Sequence, residues 1–214
     1  MTPAKRCLDL LSACFLGLVL LPVGLCVAAL LLLREGRPVF YRSERMKTAT
    51  TGFTLIKFRT MHVVTTDSGV SGGDKTNRIT PTGRFLRRTR LDELPQIWNV
   101  LRGDISFVGP RPPLRRYVEQ FPEIYGKVLE SRPGITGLAT LCFHRTEERL
   151  LAPCTSGVET EEVYIRRCIP RKAQLDLIYA RNRTVCFDLR LMVGTVIRPL
   201  SPCACAVFRA NDQK

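Results

Sequence analysis

The sequence contains no Cys-x-x-Cys pair and only two histidines, His62 and His144. Structural zinc sites usually draw four cysteine or histidine ligands from closely spaced pairs. The nine cysteines here are scattered along the chain, so a structural zinc is not expected. Free thiols in a reducing compartment are the simplest interpretation, which predicts that the globular part lies in the cytoplasm.

Acidic residues are also scarce, with 19 Asp and Glu against 33 Lys and Arg, for a formal charge of +14. This excess predicts an anionic partner, and nucleic acid, an anionic membrane surface and phosphorylated substrates all qualify. Few aromatic residues lie among the basic ones and no nucleic-acid-binding motif is present, which disfavours nucleic acid.

One long hydrophobic run, residues 10–33, carries no charge at all. As a helix it could reach ~36 Å, more than the roughly 30 Å of a bilayer core, so it predicts a membrane segment. Basic residues flank both ends and therefore indicate no preferred orientation for a span. Pro22 lies near the middle, where it interrupts helical hydrogen bonding. Two halves of ~17 Å could dip into the bilayer and return, although an ordinary single span stays an alternative.

The densest cluster of opposite charge is Arg87, Arg88 and Arg90 followed by Asp92 and Glu93. Pro95 suits the first turn of a helix, which would place Asp92 at or near the N-terminus of that helix. Such a position favours carboxylates and a phosphate beside them. Two adjacent anions also suit a hard cation such as Mg²⁺. The alternative is a capped surface helix whose acids pair with the arginines.

Further basic residues lie in constrained segments. Residues 52–61 alternate as in a half-exposed strand, which would place Lys57 and Arg59 on one face. Two cations there suit a diphosphate, although a solvated strand face explains them equally well. Prolines on both sides of Arg111 predict a rigid extended segment that presents its guanidinium to phosphate oxygens. Residues 65–77 are predicted to form a loop, either a lid or a plain connector.

Two helical patterns follow in the C-terminal half. The first covers residues 114–130, and Pro122 is expected to break or kink it. The second runs from residue 171 to residue 198 with apolar and cationic faces, as in a helix lying at an anionic membrane surface, although packing in the core explains it equally well.

Residues 57–61, 78–80, 91–96, 103–112 and 132–139, in this order, resemble motifs of the bacterial sugar transferases, the monotopic polyprenyl-phosphate phosphoglycosyl transferases. The resemblance implies an α+β, mostly helical fold: an N-terminal re-entrant membrane helix and one compact cytoplasmic catalytic domain with amphipathic interfacial helices. The expected divisions are residues 1–37 for the membrane helix-break-helix, 38–198 for the catalytic domain and 199–214 for a tail. The family's helix break at a Ser-Pro pair corresponds to Leu21-Pro22.

The same resemblance implies an enzyme on the cytoplasmic face of the bacterial inner membrane. It would transfer a sugar-1-phosphate from a UDP-sugar to undecaprenyl phosphate with Mg²⁺, and anionic lipids would be further partners. Whether two copies associate as a homodimer is left open. Asp92 and Glu93 correspond to the catalytic pair, with Glu93 also the expected metal ligand. The expected substrate-binding residues are Lys57, Arg59, Arg87, Arg111, Pro112, Arg132, Gly134, Thr136 and Gly137.

Two other functions are open at this point. One is a catalytically inactive, membrane-anchored adaptor that keeps the fold, which intact Asp92, Glu93 and Arg111 disfavour. The other is a basic, membrane-associated protein that binds nucleic acid, which salt-sensitive binding without nucleotide release would favour.

Overall fold

The structure is a computed structural model that describes residues 1–63 and 78–196. The predicted loop of residues 65–77, the tail from residue 199 and the last two residues of the second helical pattern lie outside the described residues. The helices are α1 Pro3–Glu35, α2 Pro81–Thr89, α3 Gln96–Arg102, α4 Arg115–Gln120, α5 Pro122–Val128, α6 Leu138–Leu151, α7 Gly157–Val163, α8 Ile169–Asn182 and α9 Val185–Val196. The strands are β1 Phe40–Met46, β2 Gly52–Phe58, β3 Ser106–Val108 and β4 Gly134–Thr136.

These elements confirm the expected mostly helical α+β class. β1 and β2 form an antiparallel hairpin, and the two short strands β3 and β4 pair in parallel. A 3₁₀ turn, Leu91–Glu93, connects α2 to α3, and a π-helical turn, Tyr164–Cys168, precedes α8.

Helix α1 contains the predicted membrane segment and is the one helix of the described residues long and apolar enough to cross a membrane. Thr2 caps its N-terminus by accepting a hydrogen bond from the Lys5 N–H. The helix continues through Pro22, so its secondary structure is not divided into two helices there. Its bounds do not test whether it returns to the same face, and the re-entrant topology stays a prediction.

One side of α1 packs on the rest of the molecule near both of its ends, where its buried residues lie. Ala13 joins a core cluster with Val100 and Ile105, while Leu31 is buried against Phe58 and Leu86 near the other end. The remaining surface of α1 is exposed and apolar. Its most exposed large side chains are those of Leu11, Phe15, Leu18, Leu25 and Leu33.

The two helical patterns of the C-terminal half are both divided. Pro122 ends α4 and starts α5, as predicted, because its ring cannot continue the preceding helix. The single long helix expected from residue 171 is wrong, because Arg183 adopts an extended conformation between α8 and α9. The Thr184 hydroxyl then accepts a hydrogen bond from the Phe187 N–H, which starts a new helix.

The cysteines of the described residues do not all match the expected free thiols. Cys7, Cys14, Cys26, Cys154, Cys168 and Cys186 are free. Cys142 is disulfide-bonded, which corrects the expectation at that position.

Candidate active site

A cleft of about 1440 Å³ opens between the β1–β2 hairpin, the 3₁₀ turn and helices α5, α6 and α8. Seven of the predicted site residues line this cleft: Lys57, Arg59, Arg87, Asp92, Glu93, Arg111 and Pro112. These residues are up to 55 positions apart in the chain, so tertiary packing brings them to one cavity.

Asp92 and Glu93 both lie in the 3₁₀ turn, one turn before α3, with Pro95 directly ahead of the first helical residue. Arg90, the residue that leads into this turn, has a left-handed backbone with φ 61°. Its N–H bonds back to the carbonyls of Leu86 and Arg87, which ends α2 and redirects the chain. Both carboxylates are therefore held on short, tightly constrained backbone.

Glu93 is surrounded by cations. Its Oε1 lies 3.0 Å from an Arg111 guanidinium nitrogen, 3.3 Å from Lys57 Nζ and 3.6 Å from a guanidinium nitrogen of Arg90. Burial alone would raise the pKa of this carboxyl, but Arg111, Lys57 and Arg90 lower it to about 2. Glu93 is thus ionised at any physiological pH, and one of its oxygens is fully engaged.

Asp92 has the opposite surroundings, although it is the next residue. Its Oδ1 is buried and accepts no hydrogen bond. Burial, followed by the neighbouring Glu93 charge, raises the pKa of Asp92 above its ordinary value, and Lys57, Arg87 and Arg111 only partly oppose this. An ionised carboxylate with an uncommitted oxygen is a better nucleophile than one bonded to three cations.

The cations around the carboxylate pair differ in their hydrogen bonds and in their pKa values. Arg87, which lines the cleft, donates from Nε to the Thr60 hydroxyl at 2.9 Å, and this bond fixes its guanidinium. Burial, together with the Arg111 charge, lowers the pKa of Lys57 to about 8, so this ammonium can lose its proton just above neutrality. The Arg45 guanidinium, which the sequence analysis did not nominate, also lines the cleft.

Arg59 reaches the cleft wall, but its guanidinium is bound elsewhere. Strand β2 ends at Phe58, and Arg59 donates to the carbonyl oxygens of Glu35 at 2.7 Å, Gly36 at 3.0 Å and Arg37 at 3.2 Å. Those carbonyls follow the last turn of α1, where helical partners are missing. The expected diphosphate contact of Arg59 is untested, and its observed contacts cap the C-terminal end of α1.

Residues 132–137, which include β4, pair with residues 109–112, here called the Arg111 loop. Four of the expected substrate-binding residues, Arg132, Gly134, Thr136 and Gly137, are not among the described residues that line the cleft. The Gly134 N–H donates to the Pro110 carbonyl and the Gly109 N–H donates to the Thr136 carbonyl, at 2.8 and 2.9 Å. These bonds hold the extended segment that carries Arg111 and Pro112. Arg132 instead lies near Gly103 and Arg6.

The far part of the cleft was missed by sequence reasoning. Glu147, Tyr164, Lys172 and Asp176 line it from α6, the π-helical turn and α8. One signal was present, because Asp176 falls three residues from both Ala173 and Tyr179, on the apolar face of a helical pattern. An acid at such a position is unusual and indicates a special environment.

Comparison with known proteins adds to this geometry. The sequence matches the profile of the bacterial sugar transferases over residues 1–201. It is 35% identical over 198 residues to a UDP-glucose:undecaprenyl-phosphate glucose-1-phosphate transferase of Escherichia coli, which covers 91% of this chain and 39% of that protein.

Two further relatives show the range of the similarity. An uncharacterized sugar transferase, EpsL, of Bacillus subtilis is 35% identical over 92% of this chain and 87% of its own length. A UDP-N-acetylgalactosamine-undecaprenyl-phosphate N-acetylgalactosaminephosphotransferase of Aeromonas hydrophila is 36% identical over 63% of this chain and 33% of its own length. The chain thus spans well under half of two of these relatives and most of the third.

Proposed function

The chain belongs to the bacterial sugar transferase family, and on that premise we propose that it transfers a sugar-1-phosphate from a UDP-sugar to undecaprenyl phosphate and releases UMP. This reaction would be the first membrane step in the assembly of a surface glycan. Relatives named for UDP-glucose and UDP-N-acetylgalactosamine share this type of acceptor, which supports the reaction class and leaves the sugar open.

The observation that carries the mechanism is the unequal environment of the two carboxylates. Asp92 has a free buried oxygen, whereas Glu93 is bonded to cations. In the proposed first step, an Asp92 oxygen attacks the phosphorus that bears the sugar. The bond from that phosphorus to the bridging oxygen breaks, and UMP leaves with the electron pair.

The second step regenerates the enzyme. An oxygen of the lipid phosphate attacks the same phosphorus, the bond to Asp92 breaks, and the carboxylate is restored as the polyprenyl diphosphate sugar leaves. Lys57, Arg87 and Arg111 would bind the oxygens of the transferred phosphate, where negative charge accumulates in both steps. The lipid phosphate is already anionic near neutral pH, so neither step requires a general base.

Mg²⁺ is part of the proposal, and the residues present fit it. Residues 1–63 and 78–196 contain no group of three His, Cys, Asp or Glu that could hold a metal on its own. Mg²⁺ commonly takes only one or two protein carboxylates and completes its shell with substrate phosphates and water. Glu93 would hold the ion, which when bound neutralises charge on the diphosphate. Because Lys57 and Arg111 now bind Glu93, we expect these two cations to turn to the phosphate oxygens when donor arrives.

The membrane location is supported by the exposed apolar surface. Alongside the outer face of α1, Trp98 of α3 is 57% exposed, and Val185, Leu189 and Val193 follow one another at intervals of four residues on α9. Such a stripe is typical of a helix at a membrane surface. A lipid acceptor requires the cleft to lie near the headgroups, and we place it on the cytoplasmic side, where UDP-sugars are made.

The test is a half-reaction. Enzyme mixed with UDP-sugar and Mg²⁺ but no lipid should release about one UMP per active site and gain the mass of one sugar phosphate on the peptide with Asp92. Asp92→Asn should abolish both signals, whereas Glu93→Gln should mainly weaken the Mg²⁺ dependence and the rate. A screen of UDP-sugars identifies the donor.

Other outcomes would point elsewhere. UMP release that begins only when lipid is added, with no adduct to trap, would replace the covalent route by direct transfer. No UMP release with any donor would favour the inactive adaptor. Salt-sensitive nucleic-acid binding without nucleotide release would favour a basic, membrane-associated protein that binds nucleic acid.

A further inference from the structure

Asp176 is a buried carboxylate that the mechanism above does not use. It lies on α8, is only 6% exposed, lines the cleft, and its Oδ1 has no hydrogen-bond partner. A buried acid without a partner destabilises a fold, because the charge or dipole is removed from water without compensation. A ligand in the cavity that supplies the missing hydrogen bond would remove this cost.

The nearest cation is already committed. Lys172, four residues earlier on α8, donates to both oxygens of Glu147 at 3.0 and 3.2 Å and to the Tyr164 hydroxyl at 3.3 Å. An ammonium has three protons to donate, and these three contacts account for all of them. Lys172 therefore lowers the pKa of Asp176 only through its charge, and burial still raises that pKa to about 7.

This part of the cleft connects directly to the catalytic pair. Arg111, which binds Glu93, also lies within the electrostatic reach of Glu147, and Glu147 binds Lys172. The charges change along this line. Arginines and Lys57 dominate beside Asp92, whereas Glu147 and Asp176 flank Lys172, and Arg45 and Arg111 act on Tyr164 in this second region through their charge. The first region suits a diphosphate, and the second, where acids and cations balance, suits a neutral group better.

A neutral group rich in hydroxyls fits the second region. A hydroxyl can donate to an ionised carboxylate or accept from a protonated one, so it can satisfy Asp176 in either state. Tyr125 and Tyr164 are buried core residues, each 8% exposed, whose side chains also reach this part of the cleft. In a UDP-sugar, such hydroxyls are attached on both sides of the diphosphate, on the hexose and on the ribose.

Resting on the proposed function, we propose that Asp176 is a specificity-determining residue that binds a hydroxyl group of the donor through its unpartnered Oδ1. The pocket formed by Tyr125, Glu147, Tyr164, Lys172 and Asp176 is then the carbohydrate subsite of the cleft. Lys172 and Glu147 act as positioning residues that hold the subsite open beside Arg111.

The experiment compares wild type with Asp176→Asn at pH 8, where Asp176 is mostly ionised. The variant keeps the size of the side chain but replaces one acceptor oxygen by a donor nitrogen, so it also removes one negative charge. With the donor found active in the screen, the variant should lose at least tenfold in kcat/KM. Gln174→Lys, on the exposed face of the same helix, adds the same unit of positive charge and should stay within twofold of wild type.

Donors that lack one hydroxyl complete a double-mutant cycle. Removing the hydroxyl that Asp176 binds should cost wild type about tenfold and cost Asp176→Asn much less. UDP, which carries the ribose but no hexose, separates the two sources. If UDP inhibits the variant as strongly as wild type, the contact is to the hexose. If inhibition by UDP weakens by the same factor as kcat/KM, the contact is to the ribose.

The proposal is overturned if Asp176→Asn keeps half or more of the wild-type kcat/KM. It is also overturned if every deoxy donor lowers kcat/KM by the same factor in both proteins. Folding is checked by thermal melting at pH 8, where removing the buried charge should leave the melting temperature unchanged or higher. If the variant does not fold, the deoxy donors are compared with wild type alone. The proposal then fails if no single hydroxyl deletion lowers kcat/KM more than twofold.

The proposed function and this inference fail separately. Wild-type UMP release reports on the reaction itself, and the ratio between variant and wild type reports on Asp176. If wild type releases no UMP, titration calorimetry with UDP-sugars applies the same comparison to binding. Equal donor affinity of the two proteins then overturns the subsite.

Discussion

At the scale of single residues, the main feature of the site is that two neighbouring carboxylates have different hydrogen-bond and ion-pair partners. Asp92 and Glu93 share one turn, yet three cations contact Glu93 while an oxygen of Asp92 has no partner. The turn directs the two side chains into different surroundings, which suits the proposed division into a nucleophile, Asp92, and a metal-binding group, Glu93. Neighbouring acids with separated pKa values commonly take separate catalytic roles.

Lys57 leads to a prediction about pH. Burial and the nearby Arg111 lower its pKa to about 8, while Glu93 and Asp92 act in the opposite direction and Arg45 adds to the repulsion. Below this value the ammonium is charged and can bind the diphosphate, and above it the charge is lost. We expect kcat/KM for the donor in the lipid-free half-reaction to fall as pH rises through about 8.

Lys57→Arg is the matched variant, because a guanidinium stays protonated throughout this range. The fall above pH 8 should disappear in Lys57→Arg, even if its plateau is lower than that of wild type. A wild-type profile that stays flat to about pH 9.5, or an identical fall in both proteins, would contradict the assignment to Lys57.

At the scale of elements, the support of the Arg111 loop is a close backbone contact between two segments. A Cβ on Gly109 would lie 2.1 Å from the Arg132 carbonyl oxygen, and one on Gly137 would lie 2.2 Å from the Gly109 carbonyl oxygen. The obstructing atoms are backbone, which cannot turn away as a side chain can. The glycines are therefore required by the approach of the chains rather than by contact with the cleft.

Gly109→Ala is predicted to destabilise the protein by about 3 kcal/mol or more, at the upper end of typical overpacking. It should also lower activity, because the displaced segment carries Arg111. Gly126→Ala on α5 is the control, since its Cβ would meet no atom within 4 Å. That change should be neutral or stabilise by up to ~1 kcal/mol. Chemical denaturation of both variants checks this, and similar stabilities would refute the packing argument.

At the scale of the whole molecule, both ends of α1 are attached to the same domain. Near the N-terminus, Lys5 donates to the Val108 carbonyl and pairs with Asp188, and Asp9 accepts from the Ser106 hydroxyl. Near the C-terminus, Arg59 binds the carbonyls that end the helix. These buried polar contacts hold both ends of the helix against one domain, and that both ends lie on the cytoplasmic side stays a prediction.

Cysteine accessibility tests this topology in a background without native cysteines. Single cysteines placed before Lys5 and after Arg37 should both be protected from an impermeant thiol reagent in intact cells, and both should react after permeabilisation. Labelling of the N-terminal site alone would establish a span. Pro22→Ala removes the residue that interrupts helical hydrogen bonding and should shift the segment toward spanning, with reduced activity.

Local sequence information determined a good part of this protein. The uncharged run of residues 10–33 predicted α1, and Pro122 predicted the division between α4 and α5. Asp92, Glu93, Lys57 and Arg111 were nominated from charge and constrained backbone and do share one cleft. Patterns of this kind are readable because hydrophobic period, proline and charge act over a few neighbouring residues.

Only the tertiary structure decided which of the nominated groups face the cleft and what each contacts. Arg59 stands two residues from Lys57, but the end of β2 and the orphan carbonyls of α1 direct its guanidinium away. Gly134 and Thr136 support Arg111 from behind through backbone hydrogen bonds. Asp176 joins the same cavity from about 80 residues beyond Asp92. Burial, pKa and partner choice depend on groups distant in the chain, which no local pattern encodes.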